Sequence, residues 1–263
     1  MKAEPRILVD GRLAEAADFR HQALVNYGAY TSFRVENGAA RGLGLHIARL
    51  QAAAVELFGE ALDEVELRGW MRAALEGRDQ AFLRVSLFSP QVWPREPTYV
   101  GRPSVMTAAF DAPPPLAERP LAVQPQVHQR EAPHLKSVGT FGLMRARRRA
   151  RAAGFDDALF VDSEGVISEG TLWNIGFWRG DQLVWPEAPM LEGVTQALLR
   201  GAMGGTEERV TLNDLGGFDA AFLCNSATPA CAISRIGDIG FAPAPERIAA
   251  LEAAWLAAPP ELI

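Results

Sequence analysis

Residues 158–185 read ALFVDSEGVISEGTLWNIGFWRGDQLVW, a succession of short apolar runs broken by turn residues. Ala158 to Val161 is closed by Asp162, and Ser163-Glu164-Gly165 turns the chain into a second run from Val166 to Glu169. Asn174 to Trp178 and Gln182 to Trp185 lie on either side of Arg179-Gly180-Asp181. Branched and aromatic side chains suit a pleated surface, while Gly and Asp supply the backbone freedom of tight turns. The pattern predicts a meander in a sheet that is antiparallel in large part.

Outward from this meander the period changes. Leu143 to Ala153 reads as a helix stopped by Gly154. Its run Arg145, Arg147, Arg148, Arg149 and Arg151 wraps around the helix and reads as a solvated face. A further helix opens after Gly193-Val194-Thr195, and Ala220 to Cys224 reads as a buried strand. Toward the amino end, Arg6 to Val9 meets the Asp10-Gly11 turn, and Thr31 to Val35 meets Asn37-Gly38, two hairpin signals. Leu43, Ile47, Leu50, Ala54 and Leu57 recur at helical spacing before Gly59, a helix follows over Leu67 to Leu75, and a strand over Ala81 to Phe88. Four prolines between Phe110 and Pro120 exclude a helix interior or a central strand. These features predict an α/β (α+β) chain of two domains, a small one over 1–111 and a larger one over 120–263, joined by a proline-rich linker over 112–119.

The 263 residues are 48% apolar with a formal net charge of −6, enough for a sizeable core. Scattered basic residues on an acidic chain argue against a nucleic-acid partner, and no apolar run approaches the roughly 20 residues of a membrane span. Met1 to Arg6 lacks the apolar core of a signal peptide, so a cytoplasmic enzyme is the expectation. Cys224 and Cys231 read as core thiols. His21, His46, His128 and His134 show no ligand spacing, so no metal is expected.

Of 26 basic residues only Lys2 and Lys136 are lysine; the rest are arginine. An arginine cannot shed its proton, whereas a desolvated lysine amine can attack a carbonyl and form a Schiff base. The other reading of Lys136 is a chance remnant of the arginine-rich composition. If Lys136 carries a pyridoxal cofactor, the pyridine nitrogen wants a carboxylate and the phosphate a helix N-terminus. Glu169 at a strand end and Gly193-Val194-Thr195 at a helix start meet those needs, as Arg49 and Asn225-Ser226-Ala227 meet the need for charge and hydroxyl. Taken singly, each is also an ordinary strand end, cap, helix arginine or turn.

Together, His46-Ile47-Ala48-Arg49-Leu50, Lys136, Ala158 to Asp162, Ser168-Glu169-Gly170-Thr171 with Asn174, and Leu191-Glu192-Gly193-Val194-Thr195 resemble the fold-type IV (class IV) pyridoxal-phosphate aminotransferases. That family includes branched-chain and D-amino-acid aminotransferases and 4-amino-4-deoxychorismate lyase. The resemblance implies pyridoxal 5'-phosphate as cofactor, an amino donor and a keto-acid acceptor as substrates, and a homodimer. It makes Lys136 the Schiff-base lysine and proton shuttle, and Glu169 the partner of the pyridine nitrogen. Arg49, Val194, Thr195 and Ser226 would hold the phosphate, with Thr171, Asn174 and Gly193 also at the cofactor. Phe82-Leu83-Arg84 is similar to a substrate-binding strand of some relatives, which makes Arg84, with Ala227, a candidate substrate contact. Phe141 stands where the family often has tyrosine, and the stretch from Tyr27 to Arg34 is about two residues shorter than in several relatives. The resemblance implies an aminotransferase. The alternative is 4-amino-4-deoxychorismate lyase on the same scaffold, and a remoter one is a binding protein that kept the fold without the chemistry.

Overall fold

The computed structural model describes residues 5–112 and 119–263. Most of the expected 112–119 linker therefore lies outside the described residues, as does Lys2. The chain forms two compact units. One comprises Met1–Pro113, Leu135–Gly139 and Pro259–Ile263; the other comprises Pro114–His134 and Thr140–Ala258.

In the first unit, β1 (Arg6–Val9) and β2 (Arg12–Leu13) form a hairpin, followed by α1 (Ala16–Leu24), β3 (Ala29–Glu36) and β4 (Ala39–Arg41). Then come α2 (Leu43–Phe58), α3 (Glu64–Leu75), β5 (Gln80–Phe88) and β6 (Ser104–Phe110). The sheet order is Pro260–Leu262, β4, β3, β5, β6, β1, β2, with every pair antiparallel. α2 buries Leu43, His46, Ile47, Leu50 and Ala54 on one stripe and stops at Gly59, whose left-handed φ of 81° lets its amide close on Val55 O. The Asp63 carboxylate caps α3 by accepting from Glu66 N at 3.0 Å.

Residues Leu135–Gly139 add to this unit through backbone pairing. Tyr30 N donates to Lys136 O at 2.9 Å, Val138 N donates to Gly28 O at 3.0 Å, and Ala29 bridges Ser137. Gly28 is required there, because at its φ of 152° a Cβ would stand 2.0 Å from Leu87 O.

The second unit contains β7 (Leu121–Val127), α4 (Phe141–Ala152), β8 (Asp157–Val161), β9 (Ile167–Gly170), β10 (Asn174–Arg179) and β11 (Gln182–Pro186). It continues with α5 (Val194–Met203), β12 (Thr206–Glu208), β13 (Ala220–Cys224), β14 (Cys231–Ile236), β15 (Ile239–Gly240) and α6 (Pro245–Ala257). The sheet order is β12, β11, β10, β13, β14, β7, β8, β9, with β15 on β14. β9 then returns to β10 through the single pair Glu169–Asn174, so the path closes on itself. Val123, Leu159, Ile175, Phe177, Leu223 and Ile233 belong to the apolar cluster on this sheet, while Leu143, Ala146 and Ala150 of α4 pack on Ala158 and Phe160.

The meander stands where the sequence puts it, and β10 pairs antiparallel with β11 and β13. Parallel pairing of β7 with β8 and with β14, and of β11 with β12, tempers the antiparallel expectation. These partners are remote in sequence, and residue period carries no record of which strand lies alongside. The solvated reading of the α4 arginines fails at Arg147, which turns inward to lie 3.3 Å from the buried Asp157. Both cysteines are free and buried, and burial pushes the thiol of Cys224 up to about 12 and that of Cys231 to about 11, so they are inert, protonated fillers.

Leu223 is fully buried in the central β13. Leu223→Ala should lower stability by about 2–5 kcal/mol in urea titration, because a closed sheet relaxes poorly around a cavity.

Candidate active site

Glu169 is the penultimate residue of β9, its side chain 5% exposed. A buried carboxylate needs donors, and three converge on this one. Arg130 Nε donates to Oε1 at 2.7 Å, Arg130 Nη2 to Oε2 at 3.3 Å, and Leu191 N to Oε1 at 3.2 Å. The guanidinium fork compensates the charge bidentately. Sequence reading missed Arg130; the only available signal was its position shortly before Lys136.

The Leu191 segment ties Glu169 to the start of α5. Asn174, paired with Glu169 across the strands, donates from Nδ2 to Leu191 O at 2.8 Å. Gly193 packs so tightly beneath Asn174 that a Cβ on it would stand 2.1 Å from Asn174 Oδ1. Val194 and Thr195, both buried, then form the first turn of α5, whose leading amides have no acceptor within the helix. Thr171 lies in the turn after Glu169, and its hydroxyl donates to Asp157 at 2.8 Å. Ser226 and Ala227 sit in a turn after β13 that Asn225 organises. Asn225 Oδ1 accepts from Ala227 N at 2.9 Å and Thr228 N at 2.8 Å, while its Nδ2 donates to Leu172 O at 3.1 Å. The second unit thus brings together Glu169, Thr171, Asn174, Gly193, Val194 and Thr195, and holds Ser226 and Ala227 against the same turn.

The remaining candidates belong to the first unit. Lys136 Nζ stands 5.0 Å from the centre of the Tyr30 ring, and Arg84 Cζ stands 3.7 Å from the same centre. Arg84 Nε also donates to Ser86 Oγ at 3.2 Å, which fixes the guanidinium on the sheet. Both cations therefore lie against the same aromatic ring, an arrangement worth about 0.5–2 kcal/mol each depending on desolvation. Arg49 and His46 lie one turn apart on α2. His46 is 1% exposed, its Nδ1 is 2.6 Å from Thr31 Oγ1, and its ring packs tilted against Phe33 with centroids 4.6 Å apart. Burial, with Arg49 and Lys136 adding repulsion, holds His46 well below the ordinary imidazole range, so it is neutral at pH 7. Phe141, which opens α4, is 80% exposed and brings no hydroxyl.

This donor set suits a phosphorylated pyridine aldehyde. The second unit carries a carboxylate paired with a guanidinium and, close by, a helix N-terminus; the first carries a lysine amine and, on α2, an arginine. The strongest sign of fit lies within the second unit, where the contacts Glu169–Leu191–Asn174–Gly193 link a buried carboxylate to the first turn of α5, whose unpaired amides suit an anion.

Comparison with known proteins agrees. A family model described as Amino-transferase class IV matches residues 28–236. A Methanocaldococcus jannaschii protein named "Putative branched-chain-amino-acid aminotransferase" is 27% identical over 237 residues, spanning 83% of this chain and 82% of its own. The structure of a branched-chain aminotransferase from Thermoproteus uzoniensis with norvaline matches with a TM-score of 0.79 at 22% identity, covering 95% of this chain and 94% of that one. A hypothetical aminotransferase from Mycobacterium tuberculosis, in a PLP-bound form, matches with a TM-score of 0.77 at 18% identity, covering 95% and 98%. These names do not favour the lyase alternative. No helix among the described residues is long and apolar enough to cross a membrane.

The depressed His46 pKa has a definite sign in stability. The neutral imidazole stabilises the fold fully above the ordinary value of 6.5, and the contribution is lost as pH falls toward the folded-state value, because the unfolded chain takes up a proton that the folded one refuses. Urea midpoints should therefore drop between pH 7.5 and pH 5, and His46→Asn, though less stable throughout, should show a shallower drop. Equal slopes would assign the loss to other groups.

Proposed function

The chain belongs to the class IV aminotransferases, which act with pyridoxal phosphate, and from that membership we propose that it transfers the amino group of an apolar, branched-chain amino acid to a 2-oxo acid. The substrate class rests on the name of the archaeal relative, which matches along most of both chains. The reading of the site rests on one observation above the others, the carboxylate of Glu169 held by Arg130 and Leu191 N beside the start of α5.

Bound pyridoxal phosphate supplies an aldehyde that condenses with amines and a protonated ring that withdraws electrons from the substrate carbon. Lys136 holds the cofactor through Nζ and, once displaced by the substrate amine, accepts and returns a proton there. Glu169, paired with its guanidinium partner, would accept a hydrogen bond from the ring nitrogen and keep that nitrogen protonated. Arg49 and the α5 amides of Val194 and Thr195, with Ser226, hold the phosphate, and Thr171, Asn174 and Gly193 shape the wall beside it. Arg84, braced by Tyr30 and Ser86, offers a planar fork to a substrate carboxylate, and the Ala227 backbone is a second candidate contact for the substrate. Neutral His46 next to Arg49 adds no competing positive charge. A homodimer completes this reading and rests on the family alone.

Borohydride reduction of the cofactor-loaded protein should place the phosphopyridoxyl group on Lys136 and leave Lys2 unmodified; peptide mapping that finds it on Lys2 ends the assignment. Leucine, isoleucine and valine should outpace D-alanine and aspartate as donors to 2-oxoglutarate. Pyruvate release from aminodeoxychorismate without an acceptor would instead indicate the lyase.

Two variants separate binding from chemistry. Arg49→Ala should weaken cofactor retention about ten- to a hundredfold, the equivalent of roughly 1.5–3 kcal/mol for a charge-assisted bond, with turnover largely restored by added cofactor. Glu169→Gln should retain cofactor but lose about two or more powers of ten in kcat, each factor of ten being about 1.4 kcal/mol of transition-state stabilisation. Unchanged turnover in Glu169→Gln would place the ring-nitrogen partner elsewhere.

A further inference from the structure

Asp157, the first residue of β8, is fully buried and takes no part in the chemistry above. Its Oδ1 accepts from Thr171 Oγ1 at 2.8 Å and from Ala158 N at 2.8 Å. Its Oδ2 accepts from Trp173 Nε1 at 3.1 Å and lies 3.3 Å from Arg147 Nη2. A carboxylate sealed from water and met by donors from three elements is costly to build and costly to break. Two of those donors, Thr171 and Trp173, flank Leu172 in the turn that joins β9 to β10.

That turn begins immediately after Glu169. Gly170 N donates to Trp173 O at 2.8 Å, and the Trp173 ring lies flat on Gly170, where a Cβ would stand 2.0 Å from Trp173 Cε2. Asn225 Nδ2 grips the opposite side of the turn at Leu172 O. Asp157 is thus the inner anchor of a turn whose first strand carries Glu169 and whose second begins at Asn174, the pair through which the sheet closes.

We infer that Asp157 is a positioning residue for the reaction. Its carboxylate fixes the 170–173 turn and thereby the direction in which Glu169 presents its own carboxylate, with Arg147 supplying the compensating charge. This role rests on the reading of Glu169 as the partner of the cofactor's ring nitrogen. A residue that served stability alone would leave the behaviour of Glu169 unchanged when altered.

The test uses Asp157→Asn, which keeps the volume and loses the charge, and Trp173→Phe, which keeps the ring on Gly170 and loses one donor. Both are made in the parent and in Glu169→Gln, and all are compared as cofactor-loaded protein and as apo-protein. In the parent background Asp157→Asn should lower kcat ten- to a hundredfold with the donor KM changed less than about threefold, and should shift the absorption band of the bound cofactor in the same sense as Glu169→Gln. In the Glu169→Gln background it should cost nothing further, because the group it positions is already lost. In the apo-protein, hydrogen exchange should rise in the peptide covering 167–174 and stay at the parent level in β11. Trp173→Phe should move every readout the same way by a smaller amount, and it carries the test alone if Asp157→Asn does not fold. Losses that add across the two sites, or a melting temperature that falls while kcat and the absorption band stay at parent values, overturn the role and leave Glu169's intact. A Glu169→Gln protein indistinguishable from the parent overturns both.

Discussion

A carboxylate withdrawn from water must be met by hydrogen-bond donors on every side, and the second unit is organised around two such groups on neighbouring strands. Glu169 is met by Arg130 and the Leu191 amide, and Asp157 by Thr171, Trp173, Ala158 and Arg147. Removing either set of donors leaves an uncompensated buried charge, a loss on the order of 3–5 kcal/mol. The turn between β9 and β10 satisfies one carboxylate and displays the other. Sheet closure, the direction of Glu169 and the entry into α5 therefore rest on a single set of polar contacts, and the apolar cluster on the sheet holds the strands that carry them.

The first unit solves a different problem, that of keeping cations close together without mutual disruption. Lys136 and Arg84 both lie against the Tyr30 ring, and the histidine one turn from Arg49 is neutralised by burial. The lysine's backbone is fixed by β3, and its long unbranched stem suits the holding and proton-moving role proposed for it.

Much of this was legible in the sequence. The meander, α2 with its glycine stop, and the lone interior lysine each follow from local chemistry, namely turn residues, helical spacing and one residue type where another is the habit. What escaped has a common physical origin. The parallel neighbours of β7, the strand formed by Pro260–Leu262 and the inward turn of Arg147 depend on partners remote along the chain. Arg130 escaped for the same reason, since an arginine between Gln129 and Glu131 has no local mark of facing a buried carboxylate. α1 escaped differently: its face mixes His21 and Asp18 with apolar residues, and both are buried. Asp156 and Asp157 are adjacent acids in the sequence, and only the structure separates Asp156, which meets Arg119 at the surface, from its buried neighbour.

The make-up of the first unit has an effect on how the molecule comes into being. Its sheet is completed by Pro260–Leu262, and its lysine arrives with Leu135–Gly139, stretches that a ribosome releases well after the strands they join. An amino-terminal unit ordinarily folds first during synthesis. Here the edge of β4 and the Gly28–Tyr30 backbone wait for distant segments, and the amino-terminal unit is the last to be finished. Until then, an open strand edge is exposed to any neighbouring chain, a hazard that grows with crowding and expression level and that chaperones are suited to cover.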